Sequence, residues 1–284
     1  MTERVRIGAV NYLNTKPLIH DLEQLAPAAE LVLDYPSRLA DDLAAGRLDV
    51  ALIPMIEYFR AGDYTLVPDI SIASRGPVLS VTLFSRVPGP SIRRVALDEG
   101  SRTSAALAQI LLRKRWQLAP EVRPLLLDQP AEQVDADAVL LIGDRAMHAC
   151  LPGFAHAFDL GQEWHDWTGL PFVYAAWAVR PGVDLGPVAE ALAEAKRRGM
   201  ANIGPIAARE AKRLGLDAGF CRRYLSNIIR FDLGQRELAG LEHYYRLSCE
   251  LGLAPPGVEI RLYEAAACPG RALQIENCKL QIAN

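Results

Sequence analysis

Val95-Ala-Leu-Asp-Glu-Gly-Ser-Arg-Thr-Ser-Ala-Ala-Leu107 passes from an apolar run, through three hydroxyls and a guanidinium, into a segment where Leu107, Ile110 and Leu111 recur at helical spacing. The pattern predicts a strand feeding a helix whose first turn holds Ser101, Arg102, Thr103 and Ser104. The free N–H groups and positive dipole end of a helix start attract anions. Hydroxyls and an Arg fork at that place would shape the attraction into a carboxylate or phosphate site. Taken alone, the run also reads as ordinary capping, since Ser and Thr are favoured there. A second polar segment, Asn11-Tyr12-Leu13-Asn14-Thr15, holds the same strand-to-helix position near the start. Two such mouths in one chain favour a ligand site.

Around these mouths the first half alternates between strand and helix signals. A strand is expected at 5–10, a helix at 15–25 with Leu18, Leu22 and Leu25 on one face, and a strand at 30–34. Ser37 would cap a helix that Gly46 stops. The continuous apolar run Asp49-Val-Ala-Leu-Ile-Pro54 reads as a buried parallel strand, followed by a helix at 55–61. Such alternation means an α/β fold, mostly parallel sheet with helices on both faces, and ligands of such sheets sit beyond the carboxyl ends of the strands. Residues 78–85 and 172–180 are long and β-rich, each with a Gly/Pro pair nearby. We read them as paired β crossings that act as a hinge between two lobes. Domain I is then 1–86 with 172–264, and domain II is the insert 87–171, with strands at 93–97, 122–127 and 138–142 and helices at 103–114 and from about 144. After 180 the chain reads as helical, at 185–199, 201–214, 217–227 and 234–251. From Ala265 periodicity is lost, and 265–284 is expected to be a tail outside the core.

With 31 basic and 34 acidic side chains in 284 residues the net charge is −3, so no basic field exists to hold nucleic acid or an anionic membrane. The start lacks the apolar region of a secretory signal, and no apolar run approaches a membrane span. Five cysteines, with no CxxC and no His at metal spacing, read as reduced thiols without a metal. These features point to a cytoplasmic, soluble protein that handles a small molecule without a cofactor, as a monomer or a homodimer.

Nucleophilic chemistry has little to stand on. His20, His148, His156, His165 and His243 lie outside both mouths, with His165 and Asp166 nearest to a motif. No Gly-rich phosphate loop is present. Hydroxyls, amides and aromatic rings suit binding an oxygen-rich anion and stabilising negative charge.

Six ordered motifs resemble one family. They are Asn11-Tyr-Leu-Asn-Thr-Lys-Pro-Leu18, Asp49-Val-Ala-Leu-Ile-Pro54 with Glu57-Tyr58, Gly76-Pro-Val-Leu-Ser-Val81, Gly100-Ser-Arg-Thr-Ser104, Leu141-Ile-Gly-Asp144 and Trp164-His-Asp-Trp-Thr-Gly-Leu-Pro-Phe-Val173. Together they resemble the chorismate dehydratases of the futalosine route to menaquinone, over residues 5–252. The resemblance implies the two-lobed fold of type II periplasmic binding proteins and the dehydration of chorismate to 3-[(1-carboxyvinyl)oxy]benzoate. It implies Asn14 and Ser80 at the reacting centre: Asn14 orienting substrate or the leaving hydroxyl, Ser80 binding or relaying a proton. Asn11 and Tyr12 would join them from the first mouth. Ser101, Arg102, Thr103 and Ser104 would hold a carboxylate, while Asp144 would serve the site or cap the following helix. Thr168 and Gly169, with Pro171, would form a wall of the cleft or a plain hinge loop. No strong base stands in these motifs, so the substrate's own enolpyruvyl carboxylate is the candidate proton acceptor. Asp98 and Glu99, which would repel an anion, are expected to point away or to pair with Arg102. Two other readings remain: a binding module without chemistry on the same scaffold, and a relative of 1,4-dihydroxy-6-naphthoate synthase.

Overall fold

Parallel pairing begins at the amino end, where β1 (Arg6–Val10), β2 (Glu30–Asp34) and β3 (Val50–Pro54) lie in the order β2-β1-β3. The computed structural model describes residues 4–127, 129–148 and 151–264, so the expected tail and Cys150, Cys268 and Cys278 lie outside the described residues. Every residue of β3 is buried, as its unbroken apolar run requires of a strand covered on both faces. Between these strands come α1 (Leu22–Leu25) and α2 (Pro36–Ala44), and α3 (Met55–Ala61) follows β3. The chain continues through β4 (Thr65–Ser74), β5 (Val81–Ser85), β6 (Arg94–Asp98), α4 (Arg102–Ile110), β7 (Glu121–Leu125), β8 (Ala138–Ile142) and α5 (Gly143–His148). It ends through β9 (His156–Asp159), α6 (Leu160–Thr168), β10 (Phe172–Val179), α7 (Pro187–Ala201), α8 (Ile203–Leu214), α9 (Ala218–Arg223), β11 (Ile229–Arg230) and α10 (Gln235–Glu250).

These strands form two sheets, β11-β4-β10-β3-β1-β2 and β7-β6-β8-β5-β9. Each is mixed. The alternating α/β segments supply the parallel pairs, while β10, β4 and β11 in one sheet and β5 and β9 in the other run antiparallel.

The hinge expectation needs correction. The segment 78–85 does not pair with 172–180. Its strand, β5, belongs wholly to the second sheet beside β8 and β9, whereas β10 lies inside the first. The passages between sheets are therefore the connector 75–80 and helix α6 with its turn, and the first passage ends before Val81 rather than at 86.

Two local readings also change. The helix expected at 15–25 is a 3₁₀ turn, Leu13–Ile19, then Asp21 at φ 57°, then the single turn α1. Pro17 lies inside that turn and cannot donate to a helical ladder. Helix α7 also presses on it, and a Cβ at Gly199 would stand 1.9 Å from the Pro17 carbonyl oxygen. Ser37 is not a cap: Pro36 opens α2 with its preset φ, and Ser37 is buried with its N–H donated to the Gly100 carbonyl at 3.2 Å.

Candidate active site

The carboxyl ends of β1, β3 and β8 converge on a cleft between the sheets, about 510 Å³ counting its open mouth. Tyr12, Asn14 and Thr15 enter from the first mouth, Ser101 and Ser104 from the second, and Ser80 from the connector between sheets.

Helical pitch sorts the second mouth. Ser101 and Ser104 are three residues apart and share a face. Ser101 donates to the Ser104 hydroxyl at 2.9 Å, and both line the cleft. Arg102 and Thr103 point elsewhere, contrary to the carboxylate-binding expectation. Arg102 forks onto both oxygens of Asp41 at 2.8 Å and lies 3.4 Å from Glu57, tying α4 to α2 and α3. Thr103 is fully buried, accepting from the Ile56 N–H at 3.1 Å while its carbonyl accepts from the Tyr244 hydroxyl at 3.2 Å. Both stitch the two sheets together.

Neither Asp98 nor Glu99 lines the cleft, and neither pairs with Arg102. Asp98 accepts from the Gly100 N–H at 2.8 Å and faces Arg145 at 3.5 Å, and Glu99 accepts from the Leu127 N–H. Burial holds the Asp98 carboxyl above its ordinary range, against the pull of those partners.

Other expected residues lie outside the lining. Asn11 is exposed and accepts from Lys16. Asp144 accepts from the Leu13 N–H at 3.1 Å, so its carboxylate caps the 3₁₀ turn of the first mouth rather than its own helix. Burial raises its pKa, with the Leu13 bond and Arg213 opposing. Its neighbour Gly143, at φ 60°, lets Tyr12 approach: a Cβ there would lie 2.8 Å from the tyrosine ring. Thr168 donates to the Trp164 carbonyl at 2.8 Å and Gly169 ends α6 at φ 70°, so this stretch is a helix stop.

Three features had no sequence expectation. Tyr174 lines the cleft, with its hydroxyl 3.1 Å from Ser74. Tyr224, buried in the π turn Tyr224–Ile228, donates to the Ser80 hydroxyl at 2.8 Å. Asp159 holds the connector in place: its carboxylate accepts from the Val78 and Leu79 N–H groups at 3.0 and 2.7 Å, and from Gln162 at the start of α6. Leu79 is thereby kept at φ 61°, an uncommon state for a bulky residue, immediately before Ser80. A helix-capping Asp before α6 was the one available local signal.

None of the cleft's lining residues is charged. Among the described residues no cluster of three or more His, Cys, Asp or Glu could hold a metal ion, and no helix is long and apolar enough to cross a membrane.

Fold and cleft define a two-lobed α/β protein of the periplasmic-binding-protein type. A protein of Archaeoglobus fulgidus superposes with a TM-score of 0.70 at 16% identity, covering 89% of this chain and 99% of that one. The periplasmic aliphatic sulphonate binding protein of Escherichia coli superposes at 0.64 with 18% identity, covering 97% of each. Sequence places the chain more narrowly. The model of the family described as menaquinone biosynthesis matches residues 5–250, and the chorismate dehydratase of Thermus thermophilus is 33% identical over 84% of this chain and 93% of that protein. The chain belongs to this menaquinone-biosynthesis family.

Proposed function

We propose that this chain is a chorismate dehydratase, a hydro-lyase that converts chorismate to 3-[(1-carboxyvinyl)oxy]benzoate and water. Its kinship with a dehydratase supports the reading. The observation that carries it chemically is a largely apolar cleft into which amide, hydroxyl and phenol groups project from both sheets, without a charged side chain. The two sheets act as lobes, residues 81–159 forming the inserted one, and the protein works in the cytoplasm.

The first N–H groups of α4 have no intrahelical acceptor. With Ser101 and Ser104 they receive one substrate carboxylate at the positive end of the helix. Asn14 and Ser80 face the reacting ring. The ring carbon bearing the enolpyruvyl ether loses its proton to the substrate's own enolpyruvyl carboxylate, which the cleft holds in reach. The electron pair left behind is delocalised toward the ring carboxylate. It returns to form the new ring double bond as the neighbouring carbon–oxygen bond breaks. The departing hydroxyl, oriented by Asn14 and receiving a hydrogen bond from Ser80, leaves as water with the abstracted proton. Aromatisation drives the step, so no strong protein base is required.

Purified protein mixed with chorismate should deplete the diene's ultraviolet band and release a benzoate-type product. Saturable binding with chorismate recovered intact would replace the enzyme by a capture module.

A further inference from the structure

Ser80, one of the two residues placed at the reacting centre, is held by a buried phenol from the far end of the chain. Tyr224, buried among the C-terminal helices, donates to the Ser80 Oγ at 2.8 Å. The Asn14 Oδ1 faces the Thr15 hydroxyl at 3.5 Å, and the Tyr224 proton is used on Ser80. Ser80 in turn donates to the Val78 carbonyl at 3.3 Å, a long bond that a better acceptor in the cleft can replace. The Tyr224 donor strengthens the Ser80 hydroxyl as a donor in its turn, and Ser80 lines the cleft toward which its proton can turn.

We propose that Tyr224 is a positioning residue of the dehydration: it orients and polarises the Ser80 hydroxyl so that the proton of Ser80 swings from Val78 to the departing oxygen of the substrate. The inference rests on the role given to Ser80 above. Tyr224 does not line the cleft, so it acts through Ser80. Burial raises the pKa of its phenol, which favours the neutral, donating form. The same link fixes the connector between sheets to the C-terminal helical region, since Ser80 and Tyr224 are 144 residues apart.

The test is a double-mutant cycle on chorismate turnover with Tyr224→Phe, Ser80→Ala and the pair. Tyr224→Phe should lower kcat about tenfold, the scale of one lost hydrogen bond, with KM within about twofold. The pair should be no slower than Ser80→Ala alone. Unchanged kcat in Tyr224→Phe, or losses that multiply in the pair, overturns the role of Tyr224. Full turnover by Ser80→Ala instead overturns the reading of Ser80, which separates the two failures. Should Tyr224→Phe not fold, 3-fluorotyrosine inserted at 224 keeps the shape and strengthens the donor. It should change kcat with Ser80 present and leave it unchanged in Ser80→Ala; an unchanged kcat with Ser80 present overturns the proposal.

Discussion

The first mouth turns Tyr12, Asn14 and Thr15 into the cleft and leaves the exposed Asn11 and the half-buried Lys16 bonded to each other. At the second, Ser101 and Ser104 face the cleft while Arg102 and Thr103 reach across to α2 and α3. Both mouths line the cleft with neutral groups and direct their charged member elsewhere. They differ in what they face: the first mouth lies beside Tyr224 and Ser80, and the second presents a helix start. An Arg near a site is thus a poor guide to what holds an anion, because a bidentate partner such as Asp41 competes for it.

The comparison can be broken at three points. Asn14→Ala should cost the most, lowering kcat on the order of 10²–10³-fold, as for loss of a donor at developing charge, with KM little changed. A rise in KM alone, read from initial rates, would make the two mouths equivalent binding elements. Ser101→Ala with Ser104→Ala should raise KM by about tenfold, the scale of a lost hydrogen-bond pair, and leave kcat within a few-fold. The smallest effect belongs to Arg102→Gln and Asp41→Asn. Each should raise KM less than about fivefold, as for a partly exposed ion pair, and added salt should narrow the gap to wild type. A much larger loss for Arg102→Gln than for Asp41→Asn would return the guanidinium to the substrate.

Different parts of the molecule were legible to different degrees. Strands β2, β3 and β8 and helix α3 fall where their apolar runs and flanking residues place them. The helix expected at 15–25 failed because Pro17 and the pressure of Gly199 against it are stronger than the spacing of three leucines. The pairing of β5 escaped because a β-rich run carries no mark of which sheet it joins. Of the candidate site residues, Asn14, Tyr12, Ser80, Ser101 and Ser104 meet in one cleft. Asp144 was half read: it caps a helical turn, but one in the other sheet's layer.

By itself the chain's order of residues determined the strand and helix alternation, the two mouths and the family, because periodicity and turn chemistry act between near neighbours. Only the tertiary structure decided which hydroxyls face the cleft, that Arg102 serves as a tie between sheets, and that Tyr224 and Asp159 hold Ser80. Those contacts join residues dozens of positions apart, and their partners are chosen by the packing of one sheet against another rather than by any local pattern.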